Sequence, residues 1–231
     1  MRNIAFIIAL ARLAWLALVR RFDTRRFYEA CSRDYDLVAH SQLLAAVAAR
    51  SLRHYLSISN HRVRSLLETG CGTGLFSQHL VDLADELPGV DFSPAQLAHA
   101  RKRGLPFTLK EADVLALPYP DQRFDLVASL QLLPHLAGRE SRYCREVYRV
   151  LRPGGVLVLD FTSPRPGGRP RGIRDRLRAA FVRMIRIDAW SLTPADEWLL
   201  ETMSGAGFSA SAVPPVAGGR RMLVGRKPLG A

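Results

Sequence analysis

Three glycines alternate with other residues in the stretch LLETGCGTG, at Gly70, Gly72 and Gly74. Glycine lacks a Cβ, so it suits backbone that turns tightly or lies against a ligand. A phosphate-binding P-loop requires Lys and then Ser or Thr after its last glycine, but Leu75 follows here. The dinucleotide fingerprint G-x-G-x-x-G requires its third glycine at position 75, which is this same leucine. The loop therefore departs from both of these nucleotide-binding motifs.

Three carboxylates near this loop indicate the chemistry of its ligand. Glu68 lies two residues before the first glycine, where it would repel a pyrophosphate but suit an ammonium or sulfonium group. Asp91 ends the next predicted strand, where a carboxylate can accept hydrogen bonds from both hydroxyls of a ribose. Asp113 follows the third predicted strand and can accept a hydrogen bond from the amino group of an adenine. A ribose, an adenine and a cationic tail together describe S-adenosylmethionine.

The elements that must position these residues alternate between strand and helix. The apolar runs predict strands at 63–68, 89–91, 107–112, 124–130 and 156–161. Helices are predicted between them at 75–85, 93–103 and 139–151, with a further helix at 194–206 and a closing hairpin formed by 208–213 and 221–226. This alternation predicts a doubly wound, mainly parallel α/β sheet. Ligands of such sheets bind at the carboxyl ends of the strands, where the loop and its carboxylates lie.

Five blocks of the sequence, in this order, resemble the class I S-adenosylmethionine-dependent methyltransferases of the small-molecule type. The blocks are LETGCGTG at 67–74, GVDFSP at 89–94, residues 112–118, FDLV at 124–127 and RVLRPGG at 149–155. Within that family, the chain resembles the ubiquinone- and menaquinone-biosynthesis-like members. The resemblance implies a Rossmann-like, seven-stranded, mostly parallel sheet with an antiparallel last strand, and it implies S-adenosylmethionine as the cofactor.

The resemblance also implies a set of contacts with the cofactor. Glu68 and the glycines would line its methionine end, Asp91 would bind the ribose, Phe92 would pack on the adenine, and Asp113 would meet the adenine amino group. Tyr35 matches a position that often covers the cofactor. The predicted cofactor-binding residues are Tyr35, Glu68, Gly70, Gly72, Gly74, Asp91, Phe92, Asp113, Val114, Ser129 and Leu130. The sequence departs from the family at Thr69, where an aliphatic residue is more usual.

His135 is the predicted catalytic residue. It follows the fourth strand in LQLLPHL, where a base could take a proton from a hydroxyl or amine of the acceptor. The alternative is a histidine that shapes the turn or touches the cofactor. Because the leaving thioether of a sulfonium needs no acid, the main work of such an enzyme is to hold the acceptor in line and exclude water. A base is therefore optional and depends on the acceptor.

The length and composition favour one α/β domain over residues 27–231, preceded by a helical extension at 1–26. Segment 164–190 is a basic amphipathic insertion within that domain. The three cysteines are far apart and form no C-x-x-C, so we expect neither a disulfide framework nor a zinc or other metal site. This use of cysteine fits a reducing cytosol.

Two segments predict contact with a membrane. Residues 4–19 are strongly apolar but shorter than the ~20 residues that span a bilayer, and they carry Arg12. The pattern over 1–22 is typical of a helix that lies in the membrane interface, and the alternative is a lid packed on the domain. The arginines of 173–187 indicate either a second membrane contact or a solvated face. We therefore predict a cytoplasmic protein at the cytoplasmic face of a membrane.

These segments point to a small-molecule or lipid-like acceptor, namely a quinone precursor, a phospholipid head group or a secondary metabolite. A net charge of +12 keeps an RNA methyltransferase open as an alternative. Methyltransferases that act on base amines commonly carry Asp or Asn, two prolines and an aromatic residue after the fourth strand, and this chain has SLQL there. Nucleic acid is therefore not the expected partner. A non-catalytic binding domain and an oxidoreductase with an irregular loop also remain open.

Overall fold

A computed structural model describes residues 41–59, 63–136, 138–162, 196–214 and 220–230, together with Ala11, Glu29, Ser32 and Asp36. The predictions for residues 1–22, Ala11 excepted, and for Tyr35 and the insertion 164–190 lie outside the described residues. Within the part of the chain that the structure describes, no helix is both long enough and apolar enough to cross a membrane.

One sheet of seven strands organises the described chain, in the order β3-β2-β1-β4-β5-β7-β6. The strands are β1 Leu66–Thr69, β2 Gly89–Asp91, β3 Leu109–Glu111, β4 Phe124–Leu130, β5 Leu151–Thr162, β6 Ser209–Val213 and β7 Arg220–Arg226. Strands β1 to β5 pair in parallel, and β7 runs antiparallel to both β5 and β6. The predicted sheet, its antiparallel last strand and its closing hairpin are confirmed. The strand order reverses between β1 and β4, which is where sheets of this kind bind ligands.

Helices cover both faces of this sheet. They are α1 Ser41–Ser59, α2 Pro94–Lys102, α3 Glu140–Val150 and α4 Asp196–Gly205. Buried side chains of α1, such as Leu52, pack with Leu66 and Leu126 in one cluster. Residues of α3 and α4 pack with Leu67 and Val127 in a second cluster. Because neighbouring residues along β1 and β4 point to opposite faces, the two clusters form separate layers.

The helix predicted at 75–85 is wrong. The segment forms only a 3-10 turn at Ser77–His79, followed by further turns. Ser77 is buried and donates its hydroxyl hydrogen bond to Glu68, while Leu80 is fully buried in the core. Arg53 on α1 donates to Asp82 and to the carbonyl of His79, the latter at 2.8 Å. These tertiary contacts outweigh a weak local helix preference.

Candidate functional site

A cavity of about 570 Å³ opens beside the carboxyl ends of the parallel strands. Its volume is within the range of small-ligand sites. It brings together five of the predicted residues, Gly70, Phe92, Asp113, Val114 and His135. Six more lining residues were missed by sequence reasoning: Glu111, Ala112, Leu115, Leu132, Leu136 and Arg139. Three of the six, Ala112, Leu115 and Leu136, directly follow a strand or a predicted residue, which is the signal that could have found them.

The glycine loop has a backbone that only glycine adopts easily. Gly70, Gly72 and Gly74 have φ values of 70°, 53° and 75°, in the left-handed region. A Cβ on Gly70 would lie 2.9 Å from Cδ1 of Leu132, which lines the cavity. The N–H of Gly70 also donates to the carbonyl of Val90 at 2.8 Å, so the loop is attached to β2. The lack of a side chain on Gly70 therefore keeps this wall of the cavity open.

Asp91 connects the loop to the start of α2. Its carboxylate accepts from the N–H of Gly72 and from the N–H of Ser93, both at 2.9 Å. The hydroxyl of Ser93 then caps α2 by accepting from the N–H of Gln96 at 3.3 Å. Asp91 is buried, and this burial raises the pKa of its carboxyl. Because each carboxylate oxygen has two lone pairs, Asp91 can still accept hydrogen bonds from a ligand.

Asp113 and its neighbours form the wall that follows β3. The side chain of Asp113 is exposed at the cavity, and Oδ1 accepts from the N–H of Leu115 at 2.9 Å. Phe92 follows β2 and is half-buried in the same lining. An apolar ring and a carboxylate in the lining of one cavity can together hold the flat, amino-bearing base of a nucleoside.

Glu68, Ser129 and Leu130 do not line the cavity. Glu68 is 1% exposed and accepts the hydroxyl hydrogen bond of Ser77. Burial raises its pKa from 4.5 to about 8; repulsion by Asp91 adds to the rise, and the Ser77 hydrogen bond opposes it. Ser129 and Leu130 are likewise buried at the end of β4. The predicted contact of these three residues with the cofactor stays a prediction.

His135 lies in the cavity wall, at the end of a 3-10 turn over Leu133–His135. Burial lowers the pKa of its imidazole from 6.5 to about 4, so the ring is neutral at pH 7. An efficient general base has a pKa near the working pH, and His135 is therefore a weak one. Its predicted catalytic role stays a prediction, and a neutral ring can still shape the cavity or contact a ligand.

Thr69, the departure from the family pattern, has a structural partner. Its hydroxyl lies 2.7 Å from the hydroxyl of Tyr143 on α3, and both residues are fully buried. Burial raises the pKa of Tyr143, so the phenol stays protonated. Since buried hydroxyls need partners, the threonine and the tyrosine satisfy each other. The pair ties the carboxyl end of β1, just before the glycine loop, to α3.

We expect Thr69→Val and Tyr143→Phe each to lower the free energy of unfolding by about 1–2 kcal/mol, because each removes the buried hydrogen bond between the two hydroxyls. The double variant should lose less than the sum of the two, by about 1 kcal/mol. Urea denaturation of the four proteins measures this coupling. Thr69→Ser keeps the hydroxyl and should keep the coupling with Tyr143. Strictly additive losses would mean that the two hydroxyls do not interact.

Comparison with known proteins places this geometry among the methyltransferases. A family profile described as a methyltransferase domain matches residues 67–159. A demethylmenaquinone methyltransferase of Thermus thermophilus is 34% identical over 63% of this chain and 74% of its own length. A probable S-adenosylmethionine-dependent methyltransferase of Mycolicibacterium smegmatis is 35% identical over 42% of this chain, and the match spans only 37% of that relative. The solved complex of DhpI with SAH has a TM-score of 0.64 and 22% identity, covering 94% of this chain and 98% of the other.

Proposed function

The chain belongs to the class I S-adenosylmethionine-dependent methyltransferases, and from that membership we propose that it methylates a small, lipid-like acceptor. S-adenosylmethionine, the cofactor of this family, supplies a methyl group on a sulfonium sulfur when it is bound. The observation that carries the proposal is the cavity at the carboxyl ends of the strands. Gly70 lines this cavity, and it leaves the space open because it has no side chain. In this proposal the adenine is held by Asp113 and Phe92, which both line that cavity.

The charges beside the loop also favour this ligand. Glu68 and Asp91 are both buried, and the pKa of each carboxyl is raised. A nearby cation would favour the ionised form of both carboxyls, whereas a pyrophosphate would disfavour it. A ligand with a cationic tail therefore suits this loop better than the pyrophosphate of a nicotinamide dinucleotide, which supports a methyltransferase over an oxidoreductase.

The choice of a lipid-like acceptor rests on three supports. The Thermus relative is, by its name, a demethylmenaquinone methyltransferase. The apolar segment 1–22 and the basic segment 173–187 have the composition of membrane-contacting helices. The sequence SLQL after β4 departs from the motif common among enzymes that methylate base amines. We extend the proposal to peripheral membrane contact through these two segments, and to a quinone precursor as the first acceptor to test.

The test is methyl transfer from radiolabelled S-adenosylmethionine by the full chain. Demethylmenaquinol in vesicles, an aminophospholipid and total RNA are offered in parallel. We expect label in the quinol, and an Asp113→Ala variant should lose most of it because the adenine then lacks its acceptor group. Transfer to RNA with a steep salt dependence would favour the RNA alternative instead. Cofactor binding without transfer to any of the three would count against the lipid-like acceptor and favour a binding domain.

A further inference from the structure

Asp36 lies before the core in sequence but contacts the middle of the glycine loop. Its Oδ1 accepts from the hydroxyl of Thr73 at 2.6 Å, and its other oxygen forms an ion pair with Arg103. Arg103 follows α2 and donates from Nε to the carbonyl of Thr73 at 2.6 Å. These three residues, named here the Asp36 bridge, therefore form a closed ring of polar contacts.

Thr73 is a buried residue in the middle of the glycine loop. It is 2% exposed and lies between Gly72 and Gly74, both of which have positive φ. Its hydroxyl is hydrogen-bonded to Asp36 and its backbone carbonyl to Arg103, so both groups have partners in other segments of the chain. The stem of Arg103 also packs on Gly74, where an added Cβ would meet its Cδ at 3.3 Å. Movement of Thr73 would therefore break its contacts with two other segments of the chain, at Asp36 and at Arg103.

We propose that the Asp36 bridge positions the cofactor-binding loop and couples it to the chain segment before the core. The inference rests on the proposed function for the identity of the ligand, but not for the contacts themselves. Tyr35, predicted to cover the cofactor, is the neighbour of Asp36 in sequence. Because the bridge holds Thr73 between Gly72 and Gly74, it would keep the loop in its binding conformation and slow the release of the cofactor. Asp36, Thr73 and Arg103 act as positioning residues in this account.

The test compares Thr73→Val, which removes the hydroxyl at nearly constant shape, with Thr73→Ser, which keeps it. We expect Thr73→Val to weaken binding of S-adenosylhomocysteine about five- to tenfold, through faster dissociation, and Thr73→Ser to bind nearly as the wild type does. Asp36→Asn should resemble Thr73→Val. Asp82→Asn is the matched control, because it removes another arginine–aspartate pair, with Arg53, that does not touch the loop.

Hydrogen–deuterium exchange of the full chain supplies a readout that does not need the ligand. Without ligand, Thr73→Val should speed exchange around residues 29–40 severalfold, and Asp82→Asn should leave it unchanged. Equal affinity and equal exchange in Thr73→Val and the wild type would overturn the bridge. A folded wild type that binds no S-adenosylhomocysteine would overturn the proposed function, while the exchange comparison would still decide whether the bridge holds the segment.

Discussion

Replacing Gly70 with alanine is expected to weaken binding of S-adenosylhomocysteine by at least about tenfold, or 1.4 kcal/mol. Gly70 has a φ of 70°, which costs an alanine roughly 1–2 kcal/mol. The new methyl would also lie 2.9 Å from Cδ1 and 3.3 Å from Cβ of Leu132. Because Leu132 lines the cavity, any shift of its side chain that makes room for this methyl changes the wall that the ligand contacts. Calorimetric titration measures the affinity, and thermal unfolding measures the cost to the fold.

Gly104→Ala is the matched control for this effect. Gly104 has a φ of 65°, but a Cβ built on it meets no atom within 4 Å, and the residue does not line the cavity. This variant should therefore lose about as much stability from backbone strain as Gly70→Ala does, yet keep its affinity for the ligand. Equal affinities of Gly70→Ala and the wild type would show that the Gly70 wall is not part of the cofactor site.

The stability difference between the wild type and Glu68→Gln should fall as the pH rises from 4.5 to 8. The pKa of Glu68 is raised from 4.5 to about 8, so the folded protein keeps a proton on this carboxyl that the unfolded chain releases. The stability contributed by this proton is fully present below pH 4.5 and is lost as the pH rises through 8. Over this pH range, the difference in the free energy of unfolding between the two proteins changes by on the order of 3–5 kcal/mol. Urea denaturation at a series of pH values gives the difference, and groups common to both proteins cancel.

Glu146→Gln provides a control of opposite sign. A hydrogen bond from Arg149 lowers the pKa of Glu146, so its contribution is present above the ordinary glutamate pKa and is lost as the pH falls. The difference in the free energy of unfolding between the wild type and Glu146→Gln should therefore be constant from about pH 5 to 8. It should become smaller only at lower pH. A flat profile for Glu68→Gln over the same range would mean that Glu68 is ionised in the folded protein.

The sequence predicted those elements whose signal is local. The continuous apolar run at 124–130 gave strand β4 its observed bounds, Phe124–Leu130, because a strand buried on both faces needs no other cue. Strand β1 was predicted three residues early. The carboxylate of Asp125 accepts from the N–H groups of Arg64 and Ser65, both at 2.9 Å, and so occupies the donors at the start of that segment. Asp125 lies about sixty residues further along the chain, so no local sequence pattern indicates this contact.

The candidate site shows the same difference between residues with a local sequence signal and contacts between distant residues. Gly70, Asp91 and Asp113 could be located because each ends or follows a recognisable strand, and Gly70 and Asp113 line the cavity. The buried setting of Glu68 depends on Ser77, in a segment predicted as a helix that forms turns instead. The contact of Asp36 with Thr73 joins residues 37 positions apart and has no motif. Long-range polar contacts of this kind depend on the assembled fold, which periodicity and spacing do not describe.

The most direct test of the central claim is calorimetric titration of the full-length wild type with S-adenosylhomocysteine, beside an identical titration with NADH. We predict one molecule of S-adenosylhomocysteine bound per chain in the micromolar range, and no heat with NADH. This result would place the cofactor of the family in the chain and leave the acceptor as the next target. A folded protein that binds NADH instead, or neither ligand, would contradict the account.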